Sequence, residues 1–186
     1  QVSSTATKTD FRTRMIQMPS QTICEDKGDV VTSRHLTLKD LLSHLTHYKD
    51  TMRKQGLEGI RELLGKGSAS GGSDPVLQHL GLVLKSSCGL LCDESSIVRA
   101  AVLQLFRAML QKYTSATLEP HTGLVMMYVC SGITHLVESV RFHALDLLEA
   151  WISEKPLLVA RYTPQVLPNL VSLVALHKDV KSSVSQ

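Results

Sequence analysis

The sequence has few aromatic residues, few cysteines and no long apolar run. Only 3 Phe, 4 Tyr and 1 Trp occur among its 186 residues, and leucine-dominated segments with so few aromatics favour helices over strands. The segment considered as a membrane span, Leu80 to Leu84, ends at Lys85, far short of the roughly 18 apolar residues that are needed. The 4 Cys residues form neither a disulfide ladder nor paired C-x-x-C knuckles, which predicts a reducing compartment.

The overall composition is that of one globular domain. Hydrophobic residues make up 43% and charged residues 20%, which excludes a disordered chain, and no G-X-Y period indicates collagen. A net charge of +3 is too weak to indicate nucleic-acid binding by itself. No signal-peptide pattern stands at the start, and because the chain opens with Gln1 we expect it to be a fragment of a longer polypeptide.

Changes in amino-acid composition divide the chain into three parts. Residues 1–35 are rich in Ser and Thr without a period, which predicts an irregular N-terminal arm. Residues 36–177 are leucine-rich and predict a helical-repeat domain, and 178–186 form a tail. Within the domain, Thr37 with Asp40 three residues later predicts a capped helix start, 65–73 reads as a Gly/Ser loop, and Pro75 restarts a helix.

Internal similarity is the strongest signal in the sequence. When Arg53, Arg99 and Arg141 are aligned, apolar residues recur four, seven, ten and eleven positions later, which predicts an amphipathic helix in each copy. The aligned sets are Leu57, Leu103 and Leu145; Ile60, Phe106 and Leu148; Leu63, Met109 and Trp151; and Leu64, Leu110 and Ile152.

The spacing of these copies predicts the fold. The arginines are 46 and 42 residues apart, close to the roughly 40 to 47 residues of HEAT and armadillo repeats. A more apolar partner helix precedes each copy, at about 38–46, 75–91 and 118–133, and a fourth lies at about 164–176. The prediction is an all-α, HEAT/armadillo-like α-solenoid of about three and a half repeats, whose last helix is covered by further sequence or by a partner.

One charged pair fits this register. Asp93 and Arg99 resemble the Asp and Arg that tie neighbouring HEAT units together through charge-assisted hydrogen bonds, so we interpret Arg99 as structural. The ladder is incomplete, because His47 and His135 stand where the other copies would carry the carboxylate.

The sequence contains no complete set of residues for catalysis or metal binding. Asp40, His44 and His47 share one helical face but lack a fourth ligand, and Cys88 and Cys92 lack a second cysteine pair. A solvated face and buried apolar thiols are the favoured interpretations. We therefore predict no enzyme activity, no metal and no cofactor.

A phosphate-binding loop was also tested at Gly65, Lys66 and Gly67. A P-loop requires Gly five positions before Gly-Lys and Ser or Thr after it, whereas Ile60 and Gly67 occupy those places. No G-x-S-x-G or H-E-x-x-H pattern occurs in the sequence.

Two groups of residues are candidates for binding other molecules. Basic residues on the repeat helices are interleaved with Glu58, Glu62 and Glu94, which favours a solvated face over an RNA surface; they are Arg53, Lys54, Arg61, Arg99, Arg107 and Lys112. In the arm, Phe11, Met15, Ile16 and Met18, with Ile23, are apolar residues in a polar stretch. They either pack on the chain's own repeats or bind a protein partner, and both interpretations stay open.

The arm and the first repeat together resemble the Ipi-one and testis-expressed-protein-ten family. The segments that carry the resemblance are Thr9-Asp10-Phe11-Arg12-Thr13-Arg14-Met15-Ile16 with Pro19, Leu38 to Leu45, and His47-Tyr48. The similarity continues through 55–64, 93–105 and 167–171, whereas the Gly/Ser loop at 65–73 reads as an insertion.

This resemblance implies a non-catalytic helical-repeat subunit of the rixosome. Its implied partners are a proline-, glutamate- and leucine-rich scaffold protein, a WD-repeat propeller, the midasin ATPase and the pre-ribosomal particle of the large subunit. The implied role is removal of the second internal transcribed spacer, in the nucleolus and nucleoplasm. The residues themselves leave two alternatives open, a generic HEAT/armadillo adaptor and a direct RNA binder.

Overall fold

The computed structural model describes residues 30–66 and 74–184, and all regular structure in these ranges is helical. The helices are α1 Leu38–Leu45, α2 Asp50–Lys66, α3 Pro75–Gln78, α4 Leu80–Gly89, α5 Ser96–Lys112, α6 Ser115–Ile133, α7 Glu138–Glu154, α8 Pro156–Ala160 and α9 Thr163–Val184, with a 3-10 turn at Leu90–Cys92. The predicted all-α class is confirmed.

Helix starts follow the capping chemistry of the sequence. The Asp40 N–H donates to Thr37 Oγ1 and the Thr37 N–H donates to Asp40 Oδ2, so α1 begins with the predicted capping box. Asp74 Oδ1 accepts from the N–H groups of Val76 and Leu77, and Pro75 occupies the first turn of α3.

The helices pack in two layers. The helices α2, α5 and α7 stack side by side in one layer, and α1, α4, α6 and α9 form the other. Each helix of the first layer thus follows a partner of the second, in units made of α1 and α2, of α3, α4 and α5, and of α6 and α7. This arrangement is the helical-repeat solenoid that the 46- and 42-residue spacings predict.

The buried faces of α5 and α7 differ from the predicted stripe. Leu105 and Leu147, six positions after their aligned arginines, are fully buried, whereas Leu103 and Leu145 at position four are only half-buried. Ile152, predicted to be in the core, is exposed. A stacked helix contacts neighbours in both layers, so its buried face exceeds one i, i+4, i+7 row.

Three helix boundaries differ from the predictions. The partner helix expected at 75–91 is divided at His79 into α3 and α4 and ends in the 3-10 turn, and α8 was not predicted. The helix expected to end near Leu176 continues to Val184, so 178–184 is helical where a tail was expected. No Gly or Pro occurs after Pro168 to end this helix.

The described end of the arm lies on the chain's own repeats. The Ser33 N–H donates to Glu62 Oε1 at 2.6 Å, and Lys66 Nζ donates to the Val31 carbonyl at 3.1 Å. Val30 and Leu36 pack against the core. Residues 30–36 are therefore held along α2.

A polar cluster ties the ends of three helices together. Asp74 Oδ2 lies 2.6 Å from Lys112 Nζ and accepts from the Tyr113 hydroxyl at 3.0 Å, while Lys112 also donates to the Leu64 carbonyl at 2.7 Å. Burial alone would raise the pKa of Asp74, but the hydrogen bonds from Lys112, Tyr113 and Leu77 outweigh it and lower the pKa. Ionised Asp74 thus joins the ends of α2 and α5 to the start of α3.

We expect Leu105→Ala to reduce the free energy of unfolding by about 2 to 5 kcal/mol, because it opens a cavity in the packed core. Leu103→Ala, two residues earlier on the same helix, should cost only about 1 kcal/mol, since that side chain is half-buried. Urea unfolding measures both. Equal costs would contradict the assigned buried face.

The lowered pKa of Asp74 predicts a pH-dependent contribution to stability. A carboxyl group whose folded pKa lies below its unfolded value stabilises the fold above the unfolded value, about pH 4, and loses that effect as the pH falls through the folded pKa. Asp74→Asn should therefore destabilise at pH 7 and approach the natural protein in stability at pH 3 in urea unfolding. A difference that grows on acidification would contradict this assignment.

Candidate functional site

The turns before α2, α5 and α7 have the same local structure and lie along one edge of the solenoid. We call residues 46–49, 92–95 and 134–137 the turn edge. His47 Nδ1, Asp93 Oδ1 and His135 Nδ1 each accept the backbone N–H two residues later, at 3.1, 2.9 and 3.1 Å. The two histidines and the aspartate that the sequence aligns are therefore equivalent in structure.

Each turn is held by the aligned arginine six residues further on. Nη1 of Arg53 donates to the carbonyls of His47 and Tyr48 at 2.9 and 2.7 Å, and Nη1 of Arg141 donates to those of His135 and Leu136 at 3.0 and 2.8 Å. Arg99 makes the same contacts with the carbonyls of residues 93 and 94. The guanidinium group thereby satisfies carbonyls that the turn leaves without backbone partners.

The remaining guanidinium nitrogens of Arg53 join the first unit to the second. Nε and Nη2 of Arg53 donate to the two oxygens of Asp93 at 2.7 and 2.9 Å, a bidentate ion pair. This hydrogen bonding raises the pKa of Arg53. This contact between neighbouring units is the one that the HEAT-like register predicts for Asp93, whose carboxylate faces the preceding unit while its backbone carbonyl accepts from Arg99.

Arg99 joins the second unit to the third without a carboxylate. Its Nη2 donates to Ser139 Oγ at 2.9 Å, and its Nε lies 3.5 Å from His143 Nδ1. The residue is only 2% exposed, and among the described residues no carboxylate is within ion-pair distance of it. Neutral oxygens compensate its burial, which agrees with the structural role predicted for Arg99.

Apolar side chains project from the turn edge into solvent. Tyr48 is 79% exposed and Leu136 is 94% exposed, at equivalent positions, and Val137 and Ile97 beside them are also largely exposed. Because their backbones are fixed by the arginines, these side chains are displayed at little further loss of conformational entropy. Exposed apolar residues, Tyr among them, on a rigid frame are typical of a protein-binding surface. Sequence reasoning missed this surface; the recurrent six-residue spacing before each arginine was the available signal.

Most of the residues considered for metal binding have other roles. Hydrogen bonding from Thr37 lowers the pKa of Asp40 within the capping box, while His47 belongs to its turn. Burial raises the pKa of the Cys88 thiol to about 12 and also raises that of Cys92. Within the described ranges no group of three His, Cys, Asp or Glu side chains is arranged to hold a metal, and no helix is long and apolar enough to cross a membrane.

The basic side chains proposed as an alternative RNA surface are mostly engaged with partners. Lys54 pairs with Glu58, Lys112 with Asp74 and Arg53 with Asp93, and Arg61 donates to Gln104. Arg99 is buried. The predicted partner-binding residues of the arm, Phe11, Met15, Ile16 and Met18, lie outside the described residues.

Comparison with known proteins agrees with these features. A family model for the N-terminal region of Ipi1, a Rix1 complex component involved in 60S ribosome maturation, matches residues 116–186. Testis-expressed protein 10 homolog of Danio rerio is 31% identical over 97% of this chain, which covers 18% of that protein. Pre-rRNA-processing protein IPI1 of Chaetomium thermophilum is 30% identical over 83% of the chain and 42% of its own length.

A solved structure supports the fold. A chain of the Rix1-Rea1 pre-60S particle matches with a TM-score of 0.65 and 20% identity, over 94% of this chain and 68% of that chain. The fold is that of a helical-repeat protein. The chain belongs to the Ipi1 and testis-expressed protein 10 family, and it spans less than half the length of the curated relatives named here.

We expect Arg53→Lys to reduce the free energy of unfolding by about 1 to 3 kcal/mol, although it keeps the charge, because lysine cannot hold the turn carbonyls and both Asp93 oxygens at once. Arg107→Lys on the exposed face of α5 is the matched control and should stay within about 0.5 kcal/mol. Urea unfolding measures the free energy of unfolding of both variants. Similar small effects would mean that the arginine contacts do not hold the turns.

Proposed function

We propose that this chain is the helical-repeat part of a non-catalytic scaffold subunit of a rixosome-type complex in large-ribosomal-subunit biogenesis. Its relatives are named as pre-rRNA-processing proteins, and the matching family is described by its part in the Rix1 complex and in 60S maturation. Neither description names a catalytic activity. The proposed setting is the nucleus, where processing of the second internal transcribed spacer and remodelling of the pre-ribosome would require the subunit.

The observation that carries this proposal is the turn edge. A scaffold needs side chains that are exposed on a fixed backbone, and Tyr48 and Leu136 meet both conditions. The proposed partners are the proline-, glutamate- and leucine-rich scaffold protein and the WD-repeat propeller, with the midasin ATPase met on the pre-ribosomal particle. Burying two large apolar side chains at each contact would contribute several kcal/mol to binding.

Direct RNA binding has less support from the structure. Binding to phosphates requires lysine and arginine charges that are free to replace counterions. The ion pairs of Lys54, Lys112 and Arg53 already neutralise much of the basic set on the stacked helices. The structure therefore supports protein partners better than it supports RNA.

We expect the double variant Tyr48→Glu and Leu136→Glu to lose its protein partners while staying folded, because both side chains project into solvent. The matched control is Leu157→Glu, an 83% exposed leucine in α8 beyond the opposite end of α7. Each tagged protein is purified from nuclear extract with and without nuclease, and recovered proteins are quantified by mass spectrometry. Recovery of the scaffold and propeller should fall at least about tenfold for the double variant alone.

Three outcomes would overturn parts of this proposal. Equal recovery by the double variant and the control would exclude the turn edge as the binding surface. Absence of rixosome proteins with the unsubstituted chain would exclude the proposed complex. Recovery that disappears with nuclease would assign the association to RNA.

A further inference from the structure

An apolar groove of about 400 Å³ lies in the second layer, between α1 and the start of the next unit. Leu38 and Leu42 of α1 line it on one side, and Pro75 of α3 and Leu82 of α4 line it on the other. Leu82 is 53% exposed, so the groove presents apolar surface to solvent. A cavity of about 150 Å³ is enough to hold benzene, so this groove has room for more than one large apolar side chain.

The N-terminal arm meets the groove at Val30, which is one of the lining residues. A turn fixes the chain just after this point. The Leu36 N–H donates to Thr32 Oγ1 at 3.1 Å, and the Thr32 N–H donates to the Leu36 carbonyl at 3.0 Å. This turn brings Val30 back beside Thr37 at the start of α1, where both residues line the groove. The arm of residues 1–29 is therefore attached at the groove itself.

Two segments that border the groove lie outside the described residues, and only one of them can fill it. The loop 67–73, which leads to Pro75, contains only Gly, Ala and Ser, so it has no large apolar side chain. The arm carries Ile23 seven residues and Met18 twelve residues before Val30. An extended chain spans at most roughly 3.6 Å per residue, so these two side chains are tethered within roughly 25 and 43 Å of Val30.

The charge of the arm complements the rim of the groove. The stretch 24–29 carries Glu25, Asp26 and Asp29 against a single lysine, whereas Lys39 of α1 lies exposed on the rim. Attraction between exposed charges is weak, but here it acts together with a covalent tether. A short tether holds a segment at an effective concentration of about a millimolar, which favours the arm over a free partner.

We propose that this groove binds the N-terminal arm of the same chain, with the side chains of Met18 and Ile23 packed against Leu42 and Leu82. The arm then covers the apolar surface that α1 and α4 leave open. Of the two interpretations of the arm, this proposal selects packing on the chain's own repeats. The inference does not depend on the proposed function.

The test measures how fast a maleimide reagent labels Leu82→Cys in the chain of residues 1–186. Cysteine is a small apolar residue, so this substitution keeps the character of the groove. The position control is Lys85→Cys, on an exposed residue of the same helix that does not line the groove. Labelling at each position is read by mass spectrometry of peptides, which separates it from labelling of the natural cysteines.

Each cysteine variant is made with three versions of the arm. The first arm is natural, the second carries Met18→Ser and Ile23→Ser, and the third carries Gln17→Ala and Gln21→Ala as the matched control. We expect position 82 to react at least about tenfold faster with the serine arm than with the natural arm, because the groove is uncovered. The alanine arm should behave like the natural arm, and position 85 should react equally in all three.

Three outcomes would overturn the proposal. Equal labelling of position 82 with the natural and the serine arm would show that Met18 and Ile23 do not fill the groove. Protection that rises with protein concentration would assign the groove to the arm of a second copy. Protection that appears only when purified protein partners are added would assign the groove to a partner.

Discussion

The solenoid depends on one interaction, the hydrogen bonding of an arginine side chain to the turn that precedes its helix. Each guanidinium group binds two turn carbonyls through Nη1, and Arg53 and Arg99 use their other nitrogens to bind the next unit. One side chain thus shapes the turn, fixes the start of the helix and sets the distance to the neighbouring unit. The apolar faces of the helices supply most of the stabilising free energy, but they leave the register along the stack weakly defined.

The sequence predicts the fold because periodicity reports burial directly. The alignment on Arg53, Arg99 and Arg141 identifies the stacked helices, and Thr37 with Asp40 identifies the start of α1. The same periodicity misjudges Leu103 and Ile152, because their exposure depends on which helix lies alongside. The sequence of one helix does not show which helices pack beside it, so the extent of its buried face depends on the tertiary structure.

The candidate site was harder to predict for the same reason. The sequence identifies Asp93 and Arg99 as residues that tie neighbouring units, but it does not identify Arg53 as the partner of the Asp93 carboxylate. In the sequence, Tyr48 and Leu136 are ordinary apolar residues. Only the structure shows that their turns project them into solvent. The turn edge is recognised only when the three turns are seen side by side, and no short stretch of sequence contains all three.

A joint between unlike surfaces has no built-in limit, since every added unit creates a new place for the next one. Finite length must then come from a terminal unit that differs in its chemistry. The first unit differs from the others in one respect, because residues 30–36 lie along α2 and are held there by Glu62 and Lys66. An irregular segment thus covers part of a stacked helix, which shows that the surface of this solenoid can be screened without another helical unit.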